Sequence, residues 1–116
     1  MFYVLLYLAK PRVITSPIGG SLLQNTSQSL SCSSFGYPAP NITWTFNSNI
    51  ITSSNNQTTL VLNAATLNQT GNYQCIFQNA AGTTASAIAH LVVYSKLLMQ
   101  LIYFIYTLKY QIFLYN

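Results

Sequence analysis

Acidic side chains are missing altogether: the 116 residues contain no Asp and no Glu. That absence removes every chemistry that needs a carboxylate, including the paired acids of glycoside cleavage, an Asp-oriented catalytic triad and a carboxylate-built calcium site. Basic residues are almost as scarce, and Lys10, Arg12, Lys96 and Lys109 alone give the net charge of +4. They are scattered and form no stripe, so nucleic acid is not expected as a partner. A single histidine, His90, and two cysteines cannot complete a tetrahedral set, so neither a metal nor a cofactor is expected. Ser and Thr are plentiful, yet none has an activating base beside it, and no catalytic residue is expected. The chain also lacks a clean apolar run of the roughly twenty residues needed to cross a bilayer.

What remains is a neutral, hydrogen-bonding composition with eleven Asn and twenty-four Ser and Thr, arranged in three segments. Residues 1–10 form an apolar leader. It has no basic start, and Tyr7 stands where a signal peptide wants a small residue, so the segment reads as a truncated signal peptide. Residues 11–94 alternate apolar and polar positions with a period of two, interrupted by turn chemistry. Residues 95–116 form an apolar, aromatic tail. Counting from 97 to 114 reaches a membrane-spanning length only by including Gln100, Lys109 and Gln111. The tail therefore reads as a weak membrane anchor or as a segment foreign to the native product.

Within the middle segment, Leu30 and Cys32 alternate with serines, and Ile42, Trp44 and Phe46 alternate with Asn41, Thr43 and Thr45. Leu60 and Leu62 make the next inward pair. Tyr73, Cys75 and Phe77 follow, and Ala87, Ala89, Leu91 and Val93 close the series. Trp44 lies twelve residues after Cys32, and Tyr73 lies two before Cys75, the spacing of a sandwich stapled through its middle. The fold class expected is all-β: a two-sheet antiparallel Greek-key sandwich with short apolar flanking segments. The two cysteines are 43 residues apart. They form either a bridge, which implies an oxidising compartment, or a reduced pair in the core of an intracellular domain.

Taken in order, Leu30 and Cys32, Gly36-Tyr-Pro38-Ala-Pro40, Ile42 and Trp44, Leu60 and Leu62, Gly71-Asn-Tyr73-Gln-Cys75, Asn79 and Gly82, then Leu91 and Val93 resemble an immunoglobulin-superfamily domain of the I-set kind over residues 11–94. The resemblance implies a Cys32–Cys75 disulfide, a core built on Trp44, Tyr73, Leu30 and Leu62, and recognition in place of catalysis. Gln69 stands where the family usually has Asp, so a weaker tyrosine corner is expected. Asn25 stands where it prefers Gly, and Asn tolerates a left-handed turn. Phe77 replaces a smaller residue, with Ala87 and Ala89 expected to absorb its volume.

Four glycosylation acceptors can be read, at Asn25, Asn41, Asn56 and Asn68, where composition predicts roughly two by chance. Asn56 lies in the most polar loop and is the preferred one, whereas Asn41 and Asn68 sit beside core residues. His90 should face solvent. Contact surfaces are expected at the turn Phe35–Pro40, at the hairpin tip Gln78–Gly82, and on the face carrying Thr43, Thr45, Gln74, Ile76 and Gln78; Tyr37, Ile76, Gln78 and Asn79 are the specific candidates. The function expected is non-catalytic extracellular recognition of the adhesion or receptor type. The partner would be a protein, a second copy or a neighbouring domain of the same kind. The alternatives are a spacer in a tandem array, including an intracellular muscle-type array, and a gene fragment with no function of its own.

Overall fold

The computed structural model describes residues 7–51 and 55–116, so the leader reading for positions 1–6 lies outside them. Among the described residues the strands run as β1 (Ala9–Thr15), β2 (Gly20–Leu23), β3 (Gln28–Ser31), β4 (Ser33–Tyr37), β5 (Asn41–Phe46), β6 (Asn49–Ile50), β7 (Thr59–Leu62), β8 (Gly71–Asn79), β9 (Gly82–Ala85) and β10 (Ala89–Tyr94). A 3₁₀ turn at Leu67–Gln69 precedes β8, and a helix, α1 (Lys96–Tyr115), follows β10.

The strands form two layers. In one, β1 pairs with β4 and β3 pairs with β7, both antiparallel, and β3 and β4 are successive parts of one extended run broken only at Cys32. The other layer has the order β2-β10-β8-β5-β6, with β9 also on β8. Cys32 belongs to the first layer and Cys75 to the second, and their sulfurs are bonded. The expectation of a purely antiparallel sandwich holds except at one edge, where β2 runs parallel to β10. Strand β2 reaches this edge because residues 16–19 carry the chain over from β1, which lies in the other layer.

The period of two carries the core. Leu30, Trp44, Leu62, Tyr73, Cys75 and Phe77 are all buried, together with Leu60, Leu91 and Val93. Each buried Leu or Val side chain contributes about 1.5–3 kcal/mol. Trp44 is fully enclosed, and its indole Nε1 donates to the Gln57 carbonyl at 2.7 Å, so the one polar atom of the central side chain is satisfied. Two expectations fail locally. Ala87 is exposed and lies before β10 begins, so Ala89 alone supplies small volume there. Thr45 is buried, not outward, with its hydroxyl directed to the Gln74 carbonyl at 3.3 Å.

The tail is ordered as a 20-residue helix. It contains no Gly or Pro, and Ser95 caps it by accepting from the Leu98 N–H at 3.1 Å. None of its residues is buried, and it is long and apolar enough to cross a membrane, with a mean hydropathy of 1.4 over its best window.

Candidate binding surfaces

Strand β8 separates two poles. Asn79 ends it at one pole and Gly71 begins it at the other, and eight steps of about 3.3 Å set them about 26 Å apart. The Asn79 pole is assembled by one side chain. Asn79 Nδ2 donates to the carbonyls of Ala9 at 2.7 Å and Pro38 at 3.0 Å, and its Oδ1 accepts from the Ala81 N–H at 2.9 Å. It thereby ties the start of β1, the turn after β4 and the β8–β9 hairpin together. Because both donors and the acceptor are engaged, Asn79 organises this surface and is not free to recognise a ligand. The hairpin closes at Gly82, whose φ of +152° suits glycine and whose missing Cβ makes room for the stem of Lys10.

Around this clamp the exposed groups are Tyr37, Phe35 and Gln78. Tyr37 is 56% exposed, precedes a cis peptide bond to Pro38, and holds its ring 6.0 Å from that of Tyr7. Gln78 faces outward opposite Asn41 and Thr83. Ile76 lies on the same sheet but is only half exposed, between Thr43 of β5 and Ala85 of β9. The structure thus brings Tyr37, Gln78 and Asn79 to one pole and leaves Ile76 further along the sheet.

The opposite pole is closed by backbone contacts. Gln24 N–H donates to Tyr94 and Asn25 N–H to Ala65, each at 2.8 Å. Asn25 takes φ +68°, the left-handed turn that its position requires. Tyr73 donates its hydroxyl to the Gln69 carbonyl at 2.6 Å, and burial raises its pKa above the ordinary tyrosine value. The Gln69 side chain accepts from the Thr66 N–H at 2.9 Å, so it works as a cap within its own turn. Helix α1 leaves the sandwich from this pole.

The four acceptor asparagines divide between these regions. Asn25 and Asn68 lie exposed at the α1 pole, and Asn41 lies exposed at the Asn79 pole. Asn56 is exposed too, but its Oδ1 accepts from the Ile42 N–H at 3.0 Å while its own N–H donates to the Ile42 carbonyl at 2.8 Å. Its side chain therefore holds the loop to β5, which polarity alone did not signal. His90 is exposed, with Nδ1 2.8 Å from Asn72 Oδ1. Among the described residues no three His, Cys, Asp or Glu side chains gather in one place. Sequence reasoning also passed over Ser86. It is buried, accepts from the Cys75 N–H at 2.9 Å through Oγ, and donates its own N–H to the Cys75 carbonyl at 2.8 Å.

These features define a class of protein: a two-layer sandwich pinned through its centre by one buried disulfide, closed by a tyrosine corner, and presenting neutral hydrogen-bonding loops at its poles. A family model described as "Immunoglobulin domain" matches residues 10–79, and the chain belongs to that family. Hemicentin-1 of Mus musculus is 37% identical over 79 residues, which is 64% of this chain, and Hemicentin-1 of Homo sapiens is 38% identical over 66 residues, or 53%. The chain spans only 1% of either relative. Among solved structures, tandem Ig repeats of Dlar superpose with a TM-score of 0.70 at 24% identity, covering 76% of this chain and 50% of that one. Titin domain M7 superposes with a TM-score of 0.68 at 21% identity, covering 76% and 97%. At such identities these likenesses establish the fold alone.

Proposed function

We propose that the chain is a non-catalytic recognition module of the cell surface, displayed on α1 and binding a protein partner through the Asn79 pole. One observation carries this reading: α1, exposed along its whole length and apolar enough to span a bilayer, leaves from the pole opposite to Tyr37, Gln78 and the Asn79 clamp. A 20-residue helix rises about 30 Å, the thickness of the hydrocarbon core. The loops clustered at the far pole would then face away from the membrane, where sandwich domains carry recognition. The Cys32–Cys75 disulfide suits an oxidising compartment. Glycans belong on Asn25 and Asn68, near the membrane, ahead of Asn56, whose side chain is engaged. Tyr37 and Gln78 are the contact residues, with an aromatic ring supplying rigid area and an amide supplying direction.

A spacer in a tandem array is the second reading. Its support is the relatives, since each matched Hemicentin-1 segment is 1% of a much longer protein. Expression of the full chain in secretory cells separates the two. Surface biotinylation, a mass loss of glycan on glycosidase treatment and retention in carbonate-washed membranes are the expected results. A cytosolic product with free thiols and bare asparagines would overturn the cell-surface reading.

A further inference from the structure

The sandwich carries its formal charge in one place. Of the four cations, Lys96 and Lys109 belong to α1, and the other two, Lys10 and Arg12, both lie on β1. Pro11 between them is buried, whereas both cations are exposed, about 6.6 Å apart along the strand. No side-chain carboxylate exists anywhere in the chain to neutralise them.

Their mounting is rigid. The Ala9 carbonyl, one residue before Lys10, accepts from Asn79 Nδ2 at 2.7 Å, and the Pro11 carbonyl accepts from Thr84 Oγ1 at 2.6 Å. The proline ring fixes φ at the same point. Side chains from β8 and β9 therefore hold the backbone on which the cations stand, and a partner meeting them has little backbone left to order. The Lys10 stem lies over Gly82, while Arg12 stands opposite Phe35 in the β1–β4 pairing. Phe35 and Tyr37 add exposed rings beside the charges.

We propose that the protein partner of the Asn79 pole is acidic, seating a pair of carboxylates on Lys10 and Arg12 with an apolar flank against Phe35 and Tyr37. The inference rests on the reading of this pole as the recognition surface and names the chemistry of what it recognises. Charge complementarity selects the occupant. Two cations without a neutralising side chain repel a basic partner, and they repel a second copy that presents the same strand. Carboxylates two residues apart on an extended segment, or three to four apart on a helix, stand about 5–7 Å from each other, which matches the spacing of Lys10 and Arg12. A sulfated or phosphate polymer suits the site less well. Such a polymer gains affinity by filling many cationic contacts, and β1 offers two, beside rings and the Gln78 amide that suit a protein surface.

The full chain, isotope-labelled and held in phosphatidylcholine bicelles, is titrated with an extended peptide alternating Glu and Thr, and separately with its Gln and Thr counterpart. Backbone amide shifts are followed by NMR. The Glu peptide is expected to move the amides of Lys10, Arg12, Tyr37 and Gly82, and the Gln peptide to move them far less. Lys10→Gln and Arg12→Gln are each expected to weaken binding of the Glu peptide roughly two- to fivefold, and added salt should weaken it as well. Lys96→Gln should leave it unchanged. The same spectra report whether each variant keeps the sandwich. Equal shifts at the pole with both peptides overturn the acidic partner and leave the pole standing as a recognition surface; no shift with either peptide also overturns the acidic partner. Shifts that centre on Lys96 and the α1 pole overturn both readings. A heparin fragment that moves the β1 amides with an affinity roughly tenfold above that of the Glu peptide makes the ligand a sulfated polymer and overturns the protein.

Discussion

Replacing Ser86 by Ala tests the joint where the last strand is interrupted. Strands β9 and β10 are consecutive along β8 but leave a gap at residues 86–88, opposite the cysteine that pins the core. Ser86 fills that gap twice over, giving its backbone N–H to the Cys75 carbonyl and taking the Cys75 N–H on Oγ. Its hydroxyl proton goes to the Ala87 carbonyl at 2.8 Å. Ser86→Ala keeps the first bond and removes the other two. Ala87 is exposed, so its carbonyl can turn to water, whereas Cys75 is fully buried and its N–H is left bare. An unpaired buried donor costs about 1–3 kcal/mol, so we expect a loss of about 2 kcal/mol. In a domain of this size that lowers Tm by roughly 10 °C. Urea and thermal unfolding of the oxidised chain measure the loss, with Ser31→Ala, at an exposed position, as the control. Faster hydrogen exchange at the Cys75 amide should accompany it. If Ser86→Ala melts with the Ser31→Ala control, Ser86 does not replace a ladder bond and the reasoning is wrong.

Tyr73→Phe removes the hydroxyl that reaches the Gln69 carbonyl and should cost about 1 kcal/mol. Burial raises the Tyr73 pKa, so the fold favours the protonated phenol; that contribution is intact below the unfolded tyrosine value near 10 and is lost as pH rises through the folded value. Alkaline unfolding curves should therefore be flatter for Tyr73→Phe than for the parent, and equal slopes would remove Tyr73 from the account. Gly71→Ala would set a Cβ 2.5 Å from Phe46 Cε2 and 2.6 Å from Asn47 Oδ1; about 1–3 kcal/mol of destabilisation is expected from the crowding, and an unchanged denaturation midpoint would show that the β5–β6 turn yields freely. Reducing the disulfide, which closes 43 residues, should cost about 4 kcal/mol in the chain-entropy view, read as the difference between oxidised and reduced midpoints. With no Asp or Glu to titrate, the domain should lose little stability between pH 5 and pH 2.5, where carboxylate-bearing proteins unfold; a cooperative acid transition in circular dichroism would contradict this.

The sandwich was legible because its signals are periodic and redundant. Leu30, Cys32, Trp44, Leu62, Tyr73 and Cys75 each sit on the inward phase of an alternation, and a one-residue error would turn a whole strand over. Pairing is a different kind of information. The parallel contact of β2 with β10 depends on a crossover through Ser16–Gly19 that no local pattern marks. Thr45 read as outward by alternation, yet it is buried. Side chains that replace backbone bonds are the least legible of all. Asn79, Asn56 and Ser86 look like ordinary loop residues, and their partners lie at Ala9, Ile42 and Cys75, far away in sequence. The apolar tail, interrupted in sequence by Gln100, Lys109 and Gln111, contains no Gly or Pro and forms one continuous helix from Lys96 to Tyr115.

The Asn79 pole offers a tyrosine and a glutamine beside the exposed Lys10, whose stem packs at Gly82, so it makes a small contact of modest affinity with a cation available to an acidic group. A chain without carboxylates can form ion pairs with a partner only through its four cations, and most of its polar contacts must come from amides and hydroxyls placed by a rigid sandwich.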